Sequence, residues 1–390
     1  MQPCSAVELG SSTGLDVNVN RARMMTTRMG LIGLVAIVIA AIATLAIPLR
    51  TWRTGRMPLP TLSFAPPDAI PIPLRRVWID TDAACGYTPH TDVDDCLALW
   101  VLATAPDVEI VGVSTVFGNA PLEVTDGTTR ELFGLLRSTR RQAASVHRGA
   151  QDPFASGVSP RTPARDRLIR ALERGPLTIL ALGPLTNVAH ALTYRPDLRE
   201  NARLVAVMGR RPGHLFHPTE GAGGATLLGH GPVFRDFNFS SDPDAVDAVL
   251  AVKLRTTLIP YDAARSIEIT PSDLNTLASA ANAGAWIARR SGGWVEYWRT
   301  HIGRSGFYPF DAVAAAHVRA PRSFRCASVR AWVGRDPLMF IPFLRPEALL
   351  VDQQRPSGGH DAAWYCPALE QGFDAVLTSW LSPNRTNPGA

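Results

Sequence analysis

Between about residues 75 and 320, the chain repeatedly switches between short continuous apolar runs and longer stretches in which apolar residues recur every three or four positions. The first pattern is typical of buried strands and the second of amphipathic helices. Their alternation predicts an α/β fold, in which a mostly parallel sheet is covered by helices on both faces. The predicted strands span residues 77–79, 108–116, 144–147, 177–182 and 204–208, and the predicted helices span residues 122–136, 163–174, 188–192 and 273–302.

The N-terminal part of the chain has a different pattern. Residues 1–28 are polar without apolar periodicity, which predicts a disordered tail. Residues 29–49 carry no charged side chain, and as a helix they would reach about 31 Å, enough to cross a bilayer. A cleaved signal segment is the alternative interpretation of this stretch. Residues 50–74 are rich in proline and predict a linker, so that the folded domain would span residues 75–390. This arrangement predicts a single-pass, membrane-anchored protein whose folded domain is extracytoplasmic.

Composition and charge narrow the class of protein. The chain has 390 residues, of which 46% are hydrophobic, enough for a large core. Its formal net charge of +5 comes mainly from residues 1–58, which hold six arginines and two acidic residues, so no nucleic-acid partner is predicted. The five cysteines include no CxxC pair, which argues against a zinc site. Unpaired thiols are the default prediction, and a disulfide from Cys85 to Cys326 or Cys366 is the alternative.

Acidic residues crowd the junction between the first predicted strand and the helix that follows it. Two aspartates follow the strand and three precede the helix: Asp80, Asp82, Asp92, Asp94 and Asp95. Carboxylates this close repel one another unless a cation lies among them, and oxygen ligands suit Ca²⁺ or Mg²⁺. Asn119 follows the next strand, and ligands of parallel sheets bind where the carboxyl ends of the strands meet. The sequence therefore predicts a metal-containing site at this edge of the sheet.

Five segments resemble the nucleoside hydrolase family of the inosine-uridine preferring type, and they occur in the family's order between residues 77 and 320. The segments are DTD followed by TDVDDCLAL, VSTVFGNAPLE, LTILALGPLTNVAHAL, DFNFSSDPDA and PFDAVAAA. The resemblance implies a Rossmann-like core and the hydrolysis of ribonucleosides to free base and ribose, with a tightly bound Ca²⁺. It also implies a small-molecule ribonucleoside as partner and is compatible with a homo-oligomer.

The resemblance assigns roles residue by residue. The implied Ca²⁺ ligands are Asp82, Asp95, Asp311 and the backbone carbonyl of Leu182. Asp82 would also be the general base that takes a proton from the attacking water. The implied catalytic set is Asp82, Asn119 and Asn238, and the implied substrate-binding set is Asp94, Asn119, Asp236, Asn238, His230 and Phe310. Asp80 would support the metal ligands from behind.

The sequence departs from the family pattern at several positions. Phe310 stands where many members have a histidine that can protonate the leaving base, Asp236 where glutamate is common, and His230 where asparagine is common. Residues 83–91 are additional, and they would form a lid, add Tyr87 or His90 to the pocket, or remain a plain surface loop.

Two other functions stay open at this point. A haloacid-dehalogenase-like phosphatase also begins with Asp-x-Asp after a strand, with Asp80 as nucleophile and Asp82 as acid. A membrane-tethered nucleoside- or sugar-binding protein with a degraded active site would account for Phe310 and His230.

Overall fold

One nine-stranded sheet forms the centre of the fold in the computed structural model, which describes residues 59–137, 144–157, 160–214, 235–336, 346–354 and 360–382. All of these lie within one unit, residues 53–390. The strands are β1 (Arg76–Thr81), β2 (Glu109–Thr115), β3 (Val146–Arg148), β4 (Leu177–Ala181), β5 (Ala202–Ala206), β6 (Arg255–Leu258), β7 (Phe324–Arg335), β8 (Glu347–Asp352) and β9 (His360–Leu369).

The order of the strands is β3-β2-β1-β4-β5-β6-β9-β7-β8. Every pairing from β3 to β9 is parallel, and only the pairings of β7 with β9 and with β8 are antiparallel. The predicted mostly parallel sheet is therefore confirmed. The order of the strands reverses between β1 and β4, and such a reversal opens a crevice at the carboxyl ends of the strands.

The α-helices in the described ranges are α1 (Asp94–Ala103), α2 (Leu122–Arg137), α3 (Pro163–Glu173), α4 (Thr186–Tyr194), α5 (Phe237–Ser241), α6 (Pro243–Val252), α7 (Tyr261–Ala264), α8 (Pro271–Ala278), α9 (Ala281–Arg290), α10 (Gly292–Tyr297), α11 (Phe310–Arg319) and α12 (Phe373–Ser379). A π-helical turn, Trp298–Ile302, follows α10 directly. The helical stretch predicted at 273–302 is thus several short helices; Ser291 separates α9 from α10, and α10 begins with two glycines.

Helices cover both faces of the sheet, as predicted. Successive side chains of a strand point to opposite faces, and in β1 the side chains of Val77 and Ile79 join one core cluster while Trp78 joins the other. The first cluster includes residues of α1 and α11, and the second includes residues of α3, α4 and α6. With both faces buried, a continuous apolar run is the pattern expected of such a strand.

Both disulfides differ from the sequence prediction. Cys85 pairs with Cys96, and Cys326 pairs with Cys366. The prediction of unpaired thiols is wrong for these four residues, and so is the alternative of a bridge from Cys85 to β7 or β9. The loop after β1 returns to α1, which brings Cys85 and Cys96 together, whereas Cys326 and Cys366 lie on the paired strands β7 and β9.

The predicted membrane-anchored, extracytoplasmic localisation is contradicted. Across the described ranges, no helix is both long and apolar enough to cross a membrane. The longest of these helices, α2, has 16 residues, fewer than the roughly 20 that a bilayer requires. Residues 1–28 and 29–49, on which the predictions of a disordered tail and of a membrane segment rested, lie outside the described ranges.

Part of the predicted linker lies against the domain. Leu62 and Ile70 are buried in the core clusters, and the backbone N–H of Ala65 donates to the carbonyl of Cys326 at 2.9 Å. The division of the chain at residue 75 stays a prediction.

Candidate active site

The predicted site residues come from five elements that meet at the carboxyl edge of β1, β2 and β4. Asp82 follows β1, Asn119 follows β2, and Leu182 follows β4. Asp94 and Asp95 are the first two residues of α1, and Asp311 lies in the first turn of α11. The positive ends of two helix dipoles therefore lie close to the carboxylates and favour their negative charge.

Three of the carboxylates form a tight cluster. Asp94, Asp95 and Asp311 each offer an oxygen atom within 4.8 Å of the others, and none of the three residues is more than 4% exposed. The backbone N–H of Asp311 donates to Asp94 Oδ2 at 2.9 Å, so α11 is tied directly to the start of α1. Burial raises the pKa of Asp95 to about 7, with the charge of Asp94 adding to the effect.

Asp82 adjoins this cluster and is fully buried. Burial raises the pKa of Asp82 well above its usual value, and the charges of Asp95 and Asp94 raise it further. Asn119 connects Asp82 to the cluster. Its backbone N–H donates to Asp82 Oδ2 at 2.9 Å, and its side-chain amide donates to Asp82 Oδ1 at 3.3 Å and to Asp95 Oδ2 at 3.1 Å. The Thr81 hydroxyl donates to Asp95 Oδ1, a contact that sequence reasoning missed although Thr81 stands inside the DTD motif.

Glycines allow the backbone to approach Asp82 closely. A Cβ atom on Gly118 would overlap the Asp82 carboxylate, and one on Gly183 would lie 3.0 Å from Asp82 Cγ. These glycines belong to the two segments that follow β2 and β4. The close approach explains why both motifs place a glycine beside the carboxylate that they enclose.

Asp80 lies behind the cluster and does not line the cavity. Its Oδ1 accepts hydrogen bonds from the Ser114 hydroxyl and from Asn187 Nδ2. Burial raises the pKa of Asp80 to about 6, although these two hydrogen bonds lower it. These hydrogen bonds hold Asp80 between β2 and α4, in keeping with the supporting role that the resemblance implied for it.

The donor set fits a hard divalent cation. All the charged groups of the cluster are carboxylates, and the carbonyl of Leu182 is the neutral oxygen that the prediction added. Oxygen ligands of this kind suit Ca²⁺ or Mg²⁺ and not the softer transition metals. Because buried carboxylates in one another's neighbourhood are held at a high pKa, a cation among them would relieve both the burial cost and the repulsion.

Two further lining residues come from the start of α5, with Asp236 at its N-cap and Asn238 in its first turn. Asn238 Nδ2 donates to the carbonyl of Leu182 at 2.6 Å and to that of Val207 at 3.1 Å. Asp236 lines the cavity, but its carboxylate caps α5 by accepting from the N–H of Phe239 and also accepts from the N–H of Gly209 at 2.7 Å. Burial raises the pKa of Asp236 to about 6. The capping role was not predicted, because it depends on where α5 begins.

These residues surround one cavity of about 620 Å³. Polar residues line one part of it: Asp94, Asp311, Asn119, Leu182 through its carbonyl group, Asp236 and Asn238. Aromatic side chains from several elements line another part: Tyr87, His90, Tyr261, Trp294 and Phe310. Residues 83–91 thus contribute to the wall and are not a plain surface loop. Phe310 lies against Tyr261 with ring centroids 5.9 Å apart. His230, predicted to bind substrate, lies outside the described residues.

Comparison with known proteins decides the class of enzyme. The family described as inosine-uridine preferring nucleoside hydrolase matches residues 77–340 of the 390-residue chain. The chain belongs to this family. The protein is therefore an enzyme that hydrolyses N-glycosyl compounds. The match also confirms the resemblance found in the five sequence segments.

Individual relatives agree with the family assignment. The non-specific ribonucleoside hydrolase RihC of Escherichia coli (strain SE11) is 24% identical in an alignment of 273 positions that covers 64% of this chain and 80% of RihC. The plant nucleoside hydrolase PpNRh1 matches with a TM-score of 0.61 and 18% identity, over 80% of this chain and 98% of that structure. A purine-preferring ribonucleoside hydrolase from Gardnerella vaginalis also gives a TM-score of 0.61 at 18% identity, over 78% and 97%. At these identities the two structures establish a shared nucleoside hydrolase fold.

Proposed function

We propose that this protein hydrolyses the N-glycosidic bond of ribonucleosides in a Ca²⁺-dependent reaction and releases free base and ribose. The observation that carries the proposal is the cluster of Asp94, Asp95 and Asp311, whose oxygen atoms lie within 4.8 Å of one another beside a cavity large enough for a nucleoside. The family assignment and the similarity to RihC support ribonucleosides as the substrate class.

The proposed metal ligands are Asp82, Asp95, Asp311 and the carbonyl of Leu182. A divalent cation held there would lower the pKa of a bound water and orient the hydroxyls of the ribose. Asp82 would accept the proton of the attacking water, since it is buried beside the cluster and its charge is held by hydrogen bonds from Asn119. The Asn119 amide keeps Asp82 and Asp95 in a fixed relation, which positions the base for proton transfer.

The remaining proposed contacts hold the sugar. Asp94 and Asn119 would bind ribose hydroxyls, and Asn238 and Asp236 would contact the opposite side of the ring. As the bond to the base breaks, positive charge develops at C1′, and the surrounding carboxylate and amide oxygens stabilise it. The Asp236 carboxylate already accepts hydrogen bonds from the backbone N–H groups of Gly209 and Phe239. We therefore assign Asp236 a weaker contact with the substrate than Asn238.

The test is an assay of reducing-sugar release by the full chain. Inosine, guanosine, adenosine, uridine and cytidine would be compared after dialysis against chelator and after addition of Ca²⁺ or Mg²⁺. We expect release that needs a divalent cation, with Ca²⁺ the more effective, and a loss of at least 100-fold in the Asp82→Asn variant. Asp374→Asn, an exposed change on α12, is the matched control and should keep full activity. Failure of folded, metal-loaded protein to release ribose from any of the five would refute the proposal.

A further inference from the structure

The proposed reaction leaves one proton unassigned. When the bond between C1′ and the base nitrogen breaks, its electron pair remains on the base, and a purine or pyrimidine departs far more readily when it is protonated at the same time. The residue that supplies this proton must line the cavity and carry a proton near neutral pH. Phe310, at the start of α11, cannot donate one. The inference below rests on the proposed function and concerns which residue acts in its place.

Among the described residues that line the cavity, one side chain meets both requirements. His90 is the one lining histidine, and imidazole is the side chain that most often serves as a general acid or base in enzymes. Tyr87 and Tyr261 also line the wall, but phenols hold their protons up to about pH 10, and the guanidinium of Arg235 does not give up its proton at all. Of the lining aspartates, Asp94, Asp236 and Asp311 are assigned to the sugar and the metal, and Asp92 accepts hydrogen bonds from backbone N–H groups at the start of α1.

Aromatic contacts hold the His90 ring against the wall formed by α10 and the π-helical turn. The ring centroid of His90 lies 5.1 Å from that of Tyr297 and 6.0 Å from that of His301. Tyr297 in turn stacks on Trp294 with centroids 5.2 Å apart and planes inclined by 3°. Trp294 lines the cavity, and within the described residues its buried indole N–H has no hydrogen-bond partner. A buried donor without a partner is costly, and an acceptor atom on a bound base would satisfy it.

The loop that carries His90 is fixed at several points. The disulfide between Cys85 and Cys96 ties it to α1, and Arg290 Nη1 donates to the carbonyl of Cys85 at 3.2 Å. The Thr88 and Thr91 hydroxyls, on either side of His90, are 2.7 Å apart.

A glycine lets the loop lie directly on α10. A Cβ atom on Gly293 would come within 2.7 Å of Pro89 Cα, so a larger residue there would push the loop away. A loop that is docked in this way can hold a side chain in a defined position on the cavity wall.

We propose that His90 protonates the leaving base. In this step the C1′–N bond breaks, its electron pair goes to the base, and the base takes a proton from the His90 imidazolium. The water oxygen bonds to C1′ and its proton goes to Asp82. His90 ends neutral and Asp82 protonated, and exchange with solvent restores both. The Trp294 indole N–H donates to a second acceptor on the base, and Tyr297 is a positioning residue for both rings.

The experiment compares substrates that differ in their need for a proton. The full-length metal-loaded protein and its His90→Gln variant would be assayed with inosine and with 4-nitrophenyl β-D-ribofuranoside, whose phenolate departs without protonation. We expect kcat for inosine to fall by at least 100-fold and kcat for the aryl riboside to change by less than threefold. Added imidazole should restore part of the inosine activity of a His90→Ala variant. His147→Gln, a histidine change on β3, is the control and should leave both activities unchanged.

The outcomes separate this inference from the proposed function. An equal fall on both substrates, or no fall on inosine, would overturn the role of His90 while leaving the hydrolase intact. Wild-type protein that cleaves neither substrate would instead overturn the proposed function on which the inference rests.

Discussion

Replacing Asp311 by asparagine should stabilise the metal-free protein, although it removes a buried carboxylate. Oxygen atoms of Asp311 and of both Asp94 and Asp95 lie within 4.8 Å of one another. At an effective dielectric constant of about 20, two full charges at such a distance repel each other by about 3 kcal/mol. Burial, and then the charges of Asp94, Asp95 and Asp82, raise the pKa of Asp311 well above its usual value. The folded metal-free protein therefore keeps a proton on this group at pH values at which an exposed aspartate has already lost it.

The retained proton determines how the free energy of unfolding of the metal-free protein depends on pH. An unfolded aspartate loses its proton near pH 4, so above that pH the folded protein holds one proton more than the unfolded chain. The free energy of unfolding then falls by about 1.4 kcal/mol for each pH unit until the folded pKa is reached. The Asp311→Asn variant has no such proton and should be more stable than the wild type, by a difference that grows by about 1.4 kcal/mol per pH unit above pH 4 until the raised pKa is reached.

Urea unfolding followed by tryptophan fluorescence, in the presence of chelator at pH 5, 6 and 7, measures the difference. Asp336→Asn is the matched control, because Asp336 is also buried but is paired with Arg210 and accepts from the N–H of Gly213. That variant should lose about 3 kcal/mol. With Ca²⁺ at a thousand times its dissociation constant, the wild type should gain about 4 kcal/mol and the Asp311→Asn variant much less. A less stable metal-free Asp311→Asn variant with an unchanged pH slope would refute the reasoning.

Three further predictions test other parts of the structure. Asn119→Ala removes two side-chain hydrogen bonds to Asp82 and Asp95 and should lower kcat/KM by roughly 100-fold; unchanged kinetics would show that the bridge is not needed. Dialysis against chelator should lower the thermal unfolding temperature more at pH 8 than at pH 5, and calorimetry that finds the same shift at both pH values would contradict this. His317 is fully buried, neither ring nitrogen has a hydrogen-bond partner among the described residues, and burial lowers its pKa to about 3. The wild type should therefore lose stability as the pH falls below about 6.5, by about 1.4 kcal/mol per unit, and His317→Phe should remove that part of the loss in urea unfolding at pH 7 and 4.5.

The sequence predicted the strands whose apolar runs are continuous because both faces of the strand are buried. The strands β1, β2, β4 and β5 are buried on both faces, so their continuous apolar runs had one interpretation. β6, with four residues, has too little pattern to be distinguished from a loop. The stretch 273–302 was predicted as helical throughout because its apolar spacing continues across it. The interruptions that divide it into shorter helices leave that spacing unchanged, so the hydrophobic pattern does not reveal them.

The site was predictable where a motif fixes the chemistry and not where tertiary contacts do. Asp82, Asp94 and Asp95 stand within fourteen residues of one another, and the predicted Asp311 joins them through α11. The pairing of Cys326 with Cys366 depends on strand pairing across 40 residues, and the pairing of Cys85 with Cys96 and the capping role of Asp236 depend on where the loops end and the helices begin. The place of His90 on the cavity wall depends likewise on Gly293, about two hundred residues away.

The most direct test of the central claim is the balance of products from inosine in phosphate-free buffer. Full-length protein loaded with Ca²⁺ would be incubated with inosine, and free base and free ribose would be quantified together. We expect equal amounts of the two, formed without phosphate and lost after chelation or in the Asp82→Asn variant. No release of base, or release only when phosphate is present, would contradict hydrolysis of the N-glycosidic bond at this site.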